Sequence, residues 1–240
     1  VLSMADAGDA SVSPYDCHEN AQRVSEFALE LADPAHTKLF AVGGDHSIAY
    51  ANIKATWQRQ GSPSGGLALV HFDSHLDTVE SVWGERWGHA SPFIRAIEDG
   101  FIDPGAMISI GIKGPLNTKA DLDYAKAHGV EIVTYDRWLK EGASVLAAFL
   151  ERLTSRKTYI TFDIDCVDPA YAPGTGTLCP GGFTSAQVLS ILRSLAGINL
   201  VGADVVEVLP DRDSSGITAF LASHILFEIL CLDAVRRKPV

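Results

Sequence analysis

The chain has 240 residues, 47% of them hydrophobic, enough for one large domain or at most two around a sizeable core. Its net charge of −11 and pI near 5.1 argue against nucleic acid and anionic membrane as partners, and suit cationic ligands better. Cys17, Cys166, Cys179 and Cys231 show no C-x-x-C spacing, which fits reduced thiols better than a disulfide framework or a zinc ribbon. No apolar run approaches the ~18–20 residues of a membrane span. Nor is there a basic-then-apolar leader, so the expectation is a soluble, cytoplasmic protein.

In chain order, Val1 to Met4 reads as a short strand, although the chain opens mid-pattern and without Met, as if a beginning were missing. A helix is expected over about Glu19 to Ala32, with Val24, Phe27, Ala28 and Leu31 at helical spacing, stopped by Asp33-Pro34. Lys38 to Val42 is a strand that ends at Gly43-Gly44-Asp45-His46-Ser47, and a helix follows to about Gln58. Leu67 to Phe72 is a continuous apolar strand, the composition of one covered on both faces. It runs into Asp73-Ser74-His75-Leu76-Asp77.

After a polar stretch holding Trp83, Trp87 and His89 comes a helix closed by Gly100, then a strand over Met107 to Ile112. Leu122 to His128 is helical, Val130 to Thr134 a short strand, and Ala143 to Leu153 a helix. Lys157 to Phe162 is the central strand, rich in β-branched and aromatic residues. Thr184 opens a helix with Gln187 three residues on, a capping box. Leu200 to Val208 is the last strand and Gly216 to Val235 the last helix. Alternating strands and helices predict an α/β fold with a mostly parallel sheet, in which ligands gather beyond the carboxyl ends of the strands.

The charged clusters lie at those ends. Asp163 and Asp165 are two residues apart and share a side, where two buried carboxylates repel unless cations sit between them. Asp73, His75 and Asp77 repeat that spacing, and His46 follows a glycine pair at a third strand end. Taken singly, each has an ordinary reading: a solvated loop, a hydrogen-bonded structural histidine, turn residues before Asp168-Pro169. Together they make four carboxylates and two imidazoles, an oxygen-rich set suited to Mn²⁺ or a similar ion, with Ni²⁺, Co²⁺ or Fe²⁺ as alternatives. Thiolates are missing from the set, which disfavours structural zinc. Two metals ~3.5–4 Å apart make water nucleophilic at neutral pH, so the implied chemistry is hydrolysis. His71 and His224 read as core histidines.

Gly43-Gly44-Asp45-His46-Ser47, Asp73-Ser74-His75-Leu76-Asp77, Phe162-Asp163-Ile164-Asp165 and the run Asp168 to Thr177 resemble the ureohydrolase (arginase/agmatinase) family. The match runs in order over nearly the whole chain. Ala172 to Thr177 and Val205-Val206-Glu207-Val208 place it nearer the agmatinase and guanidino-acid hydrolase branch than arginase. The resemblance implies a single catalytic domain over 1–240 with a three-layer α/β/α arginase-like fold and a binuclear manganese centre, Ni²⁺ being an alternative. One ion would take His46, Asp73, Asp77 and Asp163, the other His75, Asp73, Asp163 and Asp165, with Asp73 and Asp163 bridging. A bridging hydroxide, hydrogen-bonded by Asp77, would attack a small cationic guanidino substrate and release urea and an amine. Implied too are a proton shuttle at His89, a guanidinium-binding carboxylate at Glu207, and a homo-oligomer, trimer or hexamer.

The chain departs from the family pattern in three ways. Ser74 and Ala90 replace the more usual Ala and Gly, and Ala90 adds a methyl near the scissile group. Leu209 to Asp213 replaces a more polar run, which raises the question of whether Arg212 meets an anionic tail. A leading strand and an arginine- and glycine-rich loop are not in the sequence. Substrates in view are agmatine, guanidinobutyrate, guanidinopropionate, proclavaminate-type precursors and small or alkylated guanidines. The rival readings are a formiminoglutamase-like hydrolase releasing formamide and a catalytically silent partner subunit. Trp83 and Trp87 are candidates for a pocket wall or for packing.

Overall fold

A computed structural model describes residues 2–31, 33–153 and 155–237. Six strands form one parallel sheet: β1 (Leu39–Val42), β2 (Leu67–Phe72), β3 (Ile102–Ile112), β4 (Glu131–Thr134), β5 (Lys157–Asp163) and β6 (Asn199–Val206). Their order across the sheet is β1-β6-β5-β2-β3-β4. From β2 the chain winds outward through β3 to β4, then returns to the other side of β2 and winds through β5 to β6. The β2/β5 seam is therefore where the winding reverses, the place at which an open α/β sheet leaves a crevice beyond its strand ends.

Among the described residues eight α-helices cover the sheet: α1 (Cys17–Glu30), α2 (Ile48–Arg59), α3 (Pro92–Glu98), α4 (Lys119–Ala127), α5 (Tyr135–Glu141), α6 (Ser144–Leu153), α7 (Ser185–Ser194) and α8 (Ile217–Arg237). Alternation along β2 divides the interior. Leu67 and Leu69 face a core shared with α2 and α3, while Ala68, Val70 and Phe72 face the larger core under α6, α7 and α8. Phe72 and Phe162 stack across the seam with centroids 4.9 Å apart, and either truncated to Ala should cost about 3–5 kcal/mol. The three-layer α/β/α arrangement is the one expected.

Several boundaries differ. Residues 2–10 form no regular element, and Val1 lies outside the described residues, as does Ala32 beyond α1. β3 begins at Ile102, earlier than expected, because its ladder with β2 skips from Leu67↔Ile102 to Leu69↔Met107. Pro104 and Gly105 occupy that irregularity, and on sequence they argue against strand. Thr118 and Asp121 form a capping box that starts α4 early, and Thr134 caps the unforeseen α5 by accepting from the Arg137 amide. The capping box of Thr184 and Gln187 is present as expected. β6 ends at Val206 because Glu207 turns into the left-handed region at φ 65°.

α8 corrects the reading of apolar runs: at 21 residues it is long and apolar enough to cross a membrane by those two criteria. Leu221, Ile225 and Ile229 on one face pack into the main core, while Phe220 and Phe227 are exposed on another. His224 is also on the exposed side, with Nδ1 3.1 Å from the Phe220 carbonyl, so it is not a core histidine.

Candidate metal centre

Asp73 leaves the end of β2 and Asp163 the end of β5, so the parallel pairing of these strands brings two carboxylates to the seam. His46, in the turn between β1 and α2, reaches them from the side. Its Nδ1 lies 2.9 Å from Asp77 Oδ2, 3.1 Å from Asp73 Oδ2 and 3.4 Å from Asp163 Oδ2. His75 stands opposite, its Nδ1 3.1 Å from Asp165 Oδ2 and 3.3 Å from Asp73 Oδ1. Fully buried Asp73 thus turns one oxygen to each imidazole. All six residues singled out for metal binding converge here.

Local backbone sets the carboxylates. The His75 amide donates to Asp73 Oδ1, the Asp165 amide to Asp163 Oδ1 and the Ser74 amide to Asp165 Oδ1, at 2.5, 2.8 and 3.0 Å. Asp77 is held at φ 50°, a conformation non-glycine residues adopt at a cost. Glycine is required at 114 because a Cβ there would lie 2.5 Å from the His75 ring. At Gly43 a Cβ would meet the end of the Ile48 side chain, which would have to turn away to make room.

One pleat below the carboxylates runs a buried polar row. Ser109, His71, Thr161 and Asp204 stand at one register across β3, β2, β5 and β6, all fully buried. Thr161 donates to Asp204 Oδ1 and Tyr159 donates to Oδ2, at 2.5 and 2.8 Å. His46 Nε2 bonds Thr161 Oγ1 at 2.8 Å, which orients the ring with Nδ1 toward the carboxylates. His71 bonds Ser109 Oγ through Nδ1 (3.0 Å) and Asp73 Oδ2 through Nε2 (2.8 Å). Buried as expected, His71 is also a support of the site. Thr161 and Asp204 escaped the sequence reading, although a carboxylate inside an apolar strand is a signal that could have found Asp204.

The electrostatics describe a cluster short of positive charge. Burial disfavours the imidazolium of His46, yet Asp163, Asp73 and Asp77 overcome it and raise its pKa well above the ordinary value. Burial likewise opposes protonation of His75, but Asp165 and Asp73 push its pKa up to about 12. Asp163 is raised well above the carboxylate range by burial and by Asp165 and Asp73. Burial and Asp73 lift Asp77 to about 7. Asp73 itself is held well below that range: burial opposes this, but His46, His71 and His75 outweigh it.

A set of donors that must borrow protons to coexist suits cations, and binding them would release those protons. His46 Nδ1 carries the test further. It is buried and has no hydrogen-bond partner of acceptable geometry, although three carboxylates ring it. A divalent ion held by His46 and these carboxylates would satisfy it. Among the described residues two groups have ligand atoms within 4.8 Å of one another, His46–His71–Asp73 and Asp73–His75–Asp165. They share Asp73.

Above the carboxylates opens a cavity of ≈ 230 Å³ that His75, Asp77, His89, Ala90, Asp163 and Glu207 help to line. Glu207 Oε1 accepts the His46 amide at 2.7 Å and lies 3.5 Å from His89 Nδ1. That carboxylate raises the His89 pKa, against the opposing effect of burial. Neither tryptophan lines the cavity: Trp83 is fully exposed, and Trp87 packs on His18 and Tyr50 at 4.5 and 4.9 Å. Arg212 is exposed on a short 3-10 turn, outside the lining.

Ser74 does more than fill its place. Its hydroxyl donates to the Asp165 carbonyl at 2.8 Å, and Lys113 Nζ donates to both that hydroxyl and the same carbonyl. Thr177 Oγ1 donates to Asp165 Oδ2 at 2.7 Å. Cys179 Sγ is 3.6 Å from His75 Nε2, and all four cysteines are free.

A family model described as the arginase family matches residues 1–232. Proclavaminate amidinohydrolase of Streptomyces clavuligerus is 40% identical over 232 residues, covering 96% of this chain and 72% of that one. Its solved structure superposes with a TM-score of 0.86 at 39% identity, over 96% of this chain and 75% of the other. The mitochondrial guanidino acid hydrolase of Homo sapiens is 38% identical over 96% of this chain, which spans 64% of that protein's length. The mitochondrial agmatinase of Gallus gallus is also 38% identical over 96% of this chain, which spans 67% of its length. A family match across nearly the whole chain thus joins a metal-shaped cluster at the switch point of the sheet. The chain belongs to the arginase family of binuclear metal hydrolases.

Proposed function

We propose that the chain hydrolyses a small guanidino compound, R–NH–C(NH₂)₂⁺ + H₂O → R–NH₃⁺ + urea, with two divalent ions as cofactor, Mn²⁺ first and Ni²⁺ second. The observation that carries the reading is Asp73, with an oxygen toward each of two imidazoles that face separate carboxylate groups. His46, Asp73, Asp77 and Asp163 would hold one ion, and His75, Asp73, Asp163 and Asp165 the other. When bound, such a pair makes water nucleophilic near neutral pH.

The chain's own residues supply the rest. Asp77 borders both the cavity and His46, placed to accept a hydrogen bond from the attacking water. Glu207 offers carboxylate to the guanidinium, with Oε1 already bound to the His46 amide. His89, beside Glu207 and with its pKa raised, holds a proton for the leaving amine, so that the C–N bond breaks to a neutral nitrogen. The exposed Phe220 and Phe227 on α8 support a homo-oligomer, for which a trimer or hexamer is what the resemblance implies.

The test is a screen of guanidino compounds with Mn²⁺ or Ni²⁺, reading urea and formamide separately. Urea with two metals per chain is expected. Formamide as the product, or a protein that binds both metals and turns over no guanidine, would overturn the reading. His89→Ala should keep both metals and slow turnover by roughly 10²–10⁴.

A further inference from the structure

The ring of His75 is held from two sides. Its Nδ1 faces the carboxylates of Asp73 and Asp165, and its other nitrogen, Nε2, meets Cys179 Sγ at 3.6 Å. The ring edge that carries Nε2 also lies against Gly114, whose amide is tied to the Ser74 carbonyl at 2.8 Å.

Cys179 is half-buried, and the chain on both sides of it is fixed. Thr177, two residues before, donates to Asp165 Oδ2 at 2.7 Å. Gly181 and Gly182, just after, donate their amides to Asp168 Oδ2 at 2.7 and 3.2 Å. The Phe183 amide donates to the Cys166 carbonyl, and the Phe183 carbonyl accepts from the Asp168 amide, at 3.1 and 2.8 Å. The thiol is therefore placed by the same loop that steadies the Asp165 carboxylate.

A neutral histidine that ligates an ion through Nδ1 carries its proton on Nε2, and the acceptor of that N–H sets both the tautomer and the plane of the ring. At His46 the acceptor is Thr161 Oγ1, 2.8 Å away, which itself donates to Asp204. At His75 the corresponding place is taken by sulfur. A thiol sulfur is a weak acceptor, so its hold on the ring is looser than that of a hydroxyl backed by a carboxylate. Resting on the two-ion reading above, we infer that Cys179 is the positioning residue of the ion on the His75 side. Its sulfur accepts from His75 Nε2–H, which leaves Nδ1 free to ligate and keeps the ring turned toward Asp73 and Asp165.

Cys179→Ala removes the acceptor, and Cys179→Ser keeps one in its place. The metal-free chain and both variants are titrated with Mn²⁺, the free ion being followed by electron paramagnetic resonance. In Cys179→Ala the ion on the His75 side should bind about tenfold more weakly, the low end for loss of a hydrogen bond behind a metal-bound histidine. The ion on the His46 side should be unmoved, which also reports that the variant is folded. Cys179→Ser should recover most of the loss, a rescue that a residue filling space alone would not give. Unchanged binding in Cys179→Ala, an equal loss at both ions, or an equal loss in the Ala and Ser variants overturns the inference and leaves the metal reading standing. An unsubstituted chain that binds no Mn²⁺ and no Ni²⁺ overturns both.

Discussion

The two imidazoles of the site sit in opposite surroundings. His46 is 1% exposed and rests on Thr161, Asp204 and Tyr159, side chains of two interior strands. His75 has a side chain 23% exposed and belongs to a loop, with Ser74, Lys113, Thr177 and Cys179 around it and Asp165. One half of the centre is built into the sheet, and the other is held by contacts between loops. Supports in a packed interior have few alternative positions, whereas loop contacts open more readily. The His46 half should therefore bind its ion more tightly.

Asp163→Ala would erase the distinction, since this carboxylate touches His46 and sets the Asp165 amide. Metal analysis should show both ions lost along with activity, and normal metal content would count heavily against the site. Asp204→Asn acts on the built-in half alone, placing an amide N–H where Tyr159 or Thr161 now donates. It should weaken the tighter ion by about 10–100-fold in a metal titration, with the weaker step unmoved. Lys113→Met addresses the loop half and should weaken the second ion several-fold; an equal loss in both steps would refute the division.

The smallest expected effect is a shift of a pH profile. Glu207 links the two regions, through the His46 amide on one side and His89 on the other. Because its carboxylate raises the His89 pKa, His89 keeps its proton to higher pH than an ordinary histidine. In Glu207→Gln that pKa should fall, and the limb of the rate profile set by loss of the proton should move to lower pH. A limb that stays in place would mean that another group titrates there.

Reading the chain before its structure recovered what is periodic. The span of β2 and the capped start of α7 were legible, because apolar runs and caps are local. α5 was not: at seven residues it sets only the half-buried Tyr135 and Trp138 against Phe183, too short a pattern to announce a helical period. β3 was shortened because Pro104 and Gly105 interrupt a strand that continues only by pairing irregularly with β2.

The metal cluster divides in the same way. Asp73, His75 and Asp77, like Asp163 and Asp165, declared themselves by close spacing at the ends of strands, although a 3-10 turn over Ile164–Cys166 and the left-handed backbone of Asp77, not strand alternation, bring Asp165 and Asp77 round to the others. Strand order decided that these groups meet at the β2/β5 seam and that Asp204 stands 43 residues from the Thr161 it supports. Local backbone and packing took Trp83 and Trp87 from the cavity they neighbour in sequence: Trp83 sits in the turn closed by the Val82–Glu85 bridge, and Trp87 packs on His18 and Tyr50. Spacing along one chain can specify a ligand's reach, but convergence between strands belongs to the packed sheet, whose register and winding no single segment contains.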